Sequence, residues 1–186
     1  MRKGRLMRWL VLLAVLGLAG CFVENQPVDE EDLALLLRAA DFERLGFEFE
    51  RIEAFETVDK KRYFDGSSEI EYTFEPGGAF YLYSMLSIEA DTTSAVMTYK
   101  ASSVGFNVGY SGEGLELVED NDFYRYGDVS RFARFMHQGE EVGNLFMARI
   151  DKRVYAFLCV GTYFDDPALW AELIEPRLIA FEDYRP

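Results

Sequence analysis

Residues 69–88 leave the chain little conformational choice. Ile70, Tyr72 and Phe74 alternate with Glu69, Glu71, Thr73 and Glu75. That period of two places apolar side chains on one side of a strand and polar ones on the other. Pro76-Gly77-Gly78 turns the chain, and Ala79 to Ile88 (AFYLYSMLSI) follows, apolar at both parities. A strand of that kind needs cover on both faces, so it is expected to be central in the sheet or covered by helices.

The remaining elements are built around this pair. Leu33, Leu36, Leu37, Ala40 and Leu45 recur near the helical period and predict a helix over 30–45. Asp29 is its cap, Glu30, Glu31 and Asp32 sit at its positive end, and Gly46 ends it. Phe47 to Phe64 reads as strand with a bulge or turn near Asp59-Lys60, and residues 65–68 as a turn. Asp91-Thr92-Thr93 caps a second helix of about three turns carrying Ala95, Val96, Tyr99 and Ser103. The four glycines within 104–114 read as loop. Leu115 to Val118 is a short strand, and Val129 to Val160 a three-strand meander turning at 138–140 and 151–153. Asp166-Pro167 opens a final helix, proline occupying the first position, where its missing N–H costs nothing. Trp170, Leu173, Ile174, Leu178 and Phe181 form its stripe, and Pro176 is expected to kink or split it. The fold class is α+β: an antiparallel sheet of about five to seven strands flanked by about three helices.

The amino terminus has a different character. Arg2, Lys3, Arg5 and Arg8 precede an uncharged apolar run, Trp9 to Leu18, and the segment closes on Leu18-Ala19-Gly20-Cys21. This is the layout of an export signal. The run falls short of the roughly 20 residues a spanning helix needs. The LAGC tetrapeptide resembles the lipobox of bacterial lipoprotein precursors. That resemblance implies cleavage between Gly20 and Cys21, a diacylglyceryl thioether on Cys21 and, often, acylation of the new amino group. Phe22, rather than aspartate, after the cysteine implies the outer membrane in preference to the inner, the domain facing the periplasm. The expected organisation is a signal peptide over 1–20, a short tether over 21–29 and a single domain over 30–186.

Charge excludes several partners. No acid lies in the first twenty residues, so residues 21–186 carry 33 acidic against 15 basic side chains, a formal −18. Such a body is repelled by nucleic-acid phosphates and by anionic lipid. The attachment to a membrane is therefore expected to run through the lipid on Cys21 alone. One acyl chain holds a protein marginally and two hold it stably.

Catalytic signatures are sparse. His137 is the one histidine, at a predicted strand end beside a turn, and is read as an exposed turn-flanking residue. Gly109-Tyr110-Ser111-Gly112 lacks the spacing of a nucleophile elbow. Cys159 lies in the apolar run Val154 to Val160 and is read as a buried, inert thiol. One histidine and one usable cysteine argue against zinc. Glu113, Glu116, Glu119, Asp120, Asp122 and Asp128 cluster as a calcium site would, but lack the central glycine of the twelve-residue loop, and are read as a solvated acidic loop. No catalytic residue, metal or cofactor is assigned. Phe123, Tyr124 and Tyr126, beside the glycine-rich stretch, are the candidate ligand-binding residues, an exposed aromatic platform; the competing reading packs two of the rings inward.

The element order over about residues 30–184, with an apolar strand leading into an acidic, aromatic final helix, resembles the PsbP-like fold. That fold occurs in extrinsic photosystem proteins and in some bacterial envelope lipoproteins, and the resemblance implies a binding or accessory module. The chain is accordingly expected to be a non-catalytic, lipid-anchored envelope protein with an envelope protein or glycan as partner. The alternatives are a carrier or sensor of an apolar ligand, and a glycan-acting hydrolase using two converging carboxylates, one with a raised pKa.

Overall fold

The computed structural model describes residues 23–49, 54–111 and 114–186. Its elements in chain order are β1 (Val23–Gln26), α1 (Glu30–Leu35), α2 (Ala39–Arg44), β2 (Phe55–Tyr63), β3 (Ser68–Glu75), β4 (Tyr81–Ile88), α3 (Thr92–Ser111), β5 (Glu116–Glu119), β6 (Val129–His137), β7 (Glu140–Ile150), β8 (Arg153–Val160) and α4 (Pro167–Asp183). The class is α+β, as expected, with one antiparallel sheet. The sheet has eight strands, more than the five to seven expected, in the order β1-β2-β3-β4-β8-β7-β6-β5. Two four-strand meanders are thus joined along one seam, where β4 meets β8 from Tyr81 opposite Val160 to Ile88 opposite Arg153.

The pleat sorts the core onto two faces. Leu82 and Leu86 of β4, Phe146 of β7, and Tyr155, Phe157 and Cys159 of β8 point to face one. There they meet Leu35, Leu36, Leu37 and Phe42 of the α1–α2 region and Trp170, Ile174, Leu178 and Phe181 of α4. The intervening residues Tyr83, Met85, Leu145, Met147, Ala156 and Leu158 point to face two and meet Ala95, Tyr99, Phe106 and Tyr110 of α3. The doubly apolar β4 is thus interior and covered on both sides, as its sequence requires.

Five local expectations are corrected. The helix over 30–45 is two helices, giving four among the described residues. Leu35, Leu36 and Leu37 are all buried, which consecutive positions on one helix face cannot be. Leu36 turns extended (φ −87°, ψ 143°) and α2 restarts after Arg38. The Asp29 cap forms as read, accepting from Asp32 N–H at 2.9 Å while Asp32 accepts from Asp29 N–H at 3.0 Å.

The segment read as tether supplies β1, paired from Val23 opposite Tyr63 to Gln26 opposite Lys60; Pro27 follows, with no N–H to extend the ladder. β2 shows no bulge at Asp59-Lys60: its register with β3 is unbroken from Phe55–Glu75 to Arg62–Ser68. The second helix does not stop at three turns. It runs through Gly105 and Gly109 to Ser111, because Phe106 and Tyr110 pack on Tyr83 and Phe135 at ring distances of 6.1 and 5.0 Å. Tertiary contact outweighs the cost of helical glycine.

Pro176 neither ends nor splits α4. Arg177 beside it binds Asp41 at 2.6 Å and the Leu36 carbonyl at 3.0 Å, fastening that turn to α2. Among the described residues, no helix is long and apolar enough to cross a membrane.

Candidate functional site

The densest set of perturbed titratable groups lies on face two, beyond the edge of α3. Lys61 of β2 stands directly opposite Glu69 of β3, and Glu71 lies two residues on, on the same side of the pleat. Lys61 Nζ is 2.8 Å from Glu71 Oε2 and 3.5 Å from Glu69 Oε1. Tyr83 OH donates to Glu71 at 2.7 Å, and Tyr63 OH donates to Glu69 at 3.2 Å.

Two carboxylates therefore share one ammonium. Glu69 is 8% exposed. Burial first, and the Glu71 charge second, push its carboxyl up to about 7 against the opposing pull of Lys61 and Tyr63. Burial also drives the Tyr83 phenol well above its ordinary range. The Lys61 ammonium is held up by its bonds to Glu71 and Glu69 in spite of burial. Within this cluster it is the Glu69 carboxyl that burial moves toward neutrality. The two acids converge as a glycan-acting reading requires, but Lys61, Tyr63 and Tyr83 already engage both. Alternation alone would set Glu69 and Glu71 on a solvent-facing side of the strand; the register that brings Lys61 opposite Glu69 encloses them instead.

A groove of about 600 Å³ opens at one end of the sheet, lined by Leu115, His137, Glu141, Val142, Val160 and Tyr163 among others. His137 is the exposed last residue of β6, before Gln138 (φ 53°) and Gly139 (φ 87°). Its Nδ1 lies 3.3 Å from the Gly114 carbonyl. Glu141 is paired with Arg134. Cys159 is fully buried, its Sγ 3.6 Å from the Thr162 carbonyl, and burial pushes the thiol up to about 12.

The candidate aromatic platform faces inward. Tyr124 is buried and donates to Glu175 at 3.2 Å. Phe123 stacks on Phe132 at 4.3 Å, and Tyr126 donates to Glu182 at 2.7 Å. These rings close the edge of the face-one core rather than presenting a joint surface. The acids nearby are dispersed among separate cations: Glu119 with Arg131, Asp120 with Arg134, Asp122 with Arg125 and Asp128 with Arg149. Among the described residues, no group of three or more His, Cys, Asp or Glu side chains is arranged to hold a metal. Gly20 and Cys21 lie outside the described residues, as does Glu113.

The outer side of α3 is the third feature. Its 20 residues include one charge, Lys100. Met97, Val104 and Val108 are 62%, 61% and 66% exposed; at spacings of seven and four they share one stripe. Arg131 fixes the helix from below, donating to the Ser103 carbonyl and hydroxyl at 3.1 and 2.8 Å and to Asn107 at 2.7 Å.

Compared with protein-family models, curated proteins and solved structures, the chain gave no match.

Proposed function

We propose that this is a lipid-anchored bacterial envelope protein, held through Cys21 and facing the periplasm, in the outer membrane rather than the inner, that acts as a non-catalytic binding or assembly module. The LAGC motif supports the anchor. The binding role is carried by the outer side of α3: Met97, Val104 and Val108 form an apolar stripe bordered by a single charge, Lys100, while residues 21–186 carry a formal −18. Apolar side chains grouped on an otherwise charged surface mark contact with another macromolecule. A photo-crosslinking residue at Val104, expressed in cells, should trap a specific envelope component, with an identical residue at Ile179 on α4 as control. Equal adducts from both positions, or none, would remove the basis of this reading. Cys21→Ser should abolish the lipid mass and the membrane attachment.

A second reading, a carrier or sensor of an apolar ligand, has the end groove in its favour. Leu115, Val142 and Val160 give it apolar walls, and its volume lies in the range of small-molecule sites. Saturable binding of a fatty acid, abolished by Val160→Glu, would favour it.

A further inference from the structure

The most exposed large apolar side chain among the described residues is Phe64, at 90%. It stands at the tip of the β2–β3 hairpin, where the turn is tightly pinned. Tyr63 N–H donates to the Ser67 carbonyl at 2.9 Å, Gly66 N–H to the Tyr63 carbonyl at 3.0 Å, and Ser67 donates to Asp65 through both N–H and hydroxyl at 2.9 and 2.6 Å. A turn locked by its own hydrogen bonds presents its aromatic outward and does not let it fold back onto the core. Asp65 at this tip accepts from Ser67, which holds its carboxyl below the usual range, and Asp91 lies near enough to act on it.

The strand beside this tip gives Phe64 its context. β1 runs antiparallel to β2, with Val23 opposite Tyr63, one residue from Phe64. Val23 is itself 50% exposed. The chain enters β1 from the hairpin-tip end, and Cys21 is two residues upstream. Two residues of extended chain span at most about 7 Å. A lipid on Cys21 would therefore be tethered to the start of β1 by no more than about 7 Å of chain. Arg62 is exposed beside Tyr63; an arginine can lay its apolar stem along a lipid boundary while its head reaches polar groups.

We infer that the β2–β3 hairpin tip is a membrane contact: Phe64, with Val23 beside it, enters the headgroup–acyl boundary of the bilayer that holds Cys21. This rests on the lipid-anchor reading above and adds an orientation to it. The contact is thus a corner of the sheet, the β2–β3 turn with the start of β1; α3 packs against β5, β7 and β8, and its C-terminal end, with Val108, lies at the opposite end of the strands, beside Leu115.

Site-directed spin labelling tests this on the full lipidated protein in phosphatidylethanolamine–phosphatidylglycerol vesicles. Cys159 is buried and takes no label, so Phe64→Cys and Val108→Cys each carry one probe. The probe at 64 should be relaxed by oxygen and shielded from a water-soluble nickel complex, and the probe at 108 should show the reverse. In Cys21→Ser protein with the same vesicles, the shielding at 64 should be lost. A probe at 64 relaxed by nickel, on protein whose amino-terminal peptide carries the acyl mass, overturns this inference and leaves the anchor standing. A probe shielded from both reagents marks a protein contact and overturns it equally. An amino-terminal peptide without acyl mass overturns the anchor itself and this orientation with it.

Discussion

On face one, each buried acid has its own cation. Asp32 is bound by Lys60 Nζ through both oxygens at 2.9 Å and receives the Tyr184 hydroxyl; Asp41 has Arg177 at 2.6 Å. Both acids also close helix caps, accepting from the backbone N–H groups of Asp29 and Arg38. On face two, Glu69 and Glu71 have one lysine between them. The consequence appears in the sign of the proton equilibria. Burial works against the Asp32 charge, yet its bonds to Tyr184, Lys60 and Asp29 hold the carboxyl below its usual range. Burial and the Glu71 charge hold Glu69 above it. The same sheet thus carries a balanced polar layer on the side sealed by three helices and an acid-rich one on the side covered by α3. Burial of charge is tolerated where hydrogen bonds and countercharge are complete, and shifts protonation where they are not.

The contrast predicts a ranked set of outcomes. Trp170→Ala, which empties the centre of face one where the ring meets Phe132, Phe146, Phe157 and Phe164, should cost about 3–5 kcal/mol in urea unfolding. Phe106→Ala, beneath α3, should cost about half as much, since that ring stays partly wet; equal losses would erase the distinction between the faces. Asp32→Ala should cost about 3 kcal/mol by stranding Lys60 and opening the α1 cap. Because the Asp32 carboxyl is lowered, its stabilisation is present above the unfolded value near 3.8 and fades as pH falls through the folded one. The wild-type protein should lose the advantage over the variant only in strong acid.

Glu69→Gln should behave in the opposite sense. A raised carboxyl favours the fold below the unfolded value of 4.5 and loses that contribution as pH rises to about 7. The variant should match the wild type at pH 4 and gain about 1–2 kcal/mol at pH 8. A gain independent of pH would mean that Glu69 is not the group that titrates. Val104→Ser should leave stability within about 0.5 kcal/mol while removing the cellular adducts formed by a photo-crosslinking residue placed at Val108 of the same stripe.

Much of the architecture could be read in advance, for a consistent reason. The alternation of residues 69–75, the doubly apolar Tyr81–Ile88 and the turns at 138–140 and 151–153 report their own environment through period and punctuation. The failures share a different cause. β1 (VENQ) buries almost nothing, so its composition carries no strand signal, and only its partner reveals it. The break at Leu36 follows from burying three consecutive leucines, which looks helical until the opposing surface is known. α3 passes through two glycines because Tyr83 and Phe135 are waiting for its rings. The same holds for the site: Glu69 and Glu71 looked like a solvent face because the register that brings Lys61 and Tyr63 onto them belongs to strand pairing, not to local sequence.

The seam between the two meanders has a consequence for biogenesis. β4 is complete at Ile88, but its partner β8 begins only at Arg153. Each meander forms from neighbouring hairpins, whereas the seam must close across the whole of the second meander. A chain emerging amino terminus first therefore holds out an unpaired edge, apolar on both sides, until almost its last element is available. Such an edge is a template for pairing with another molecule. The newly made chain is most vulnerable in the interval between those two strands, and whatever shields Tyr81–Ile88 during that interval determines how much of the protein reaches its folded state.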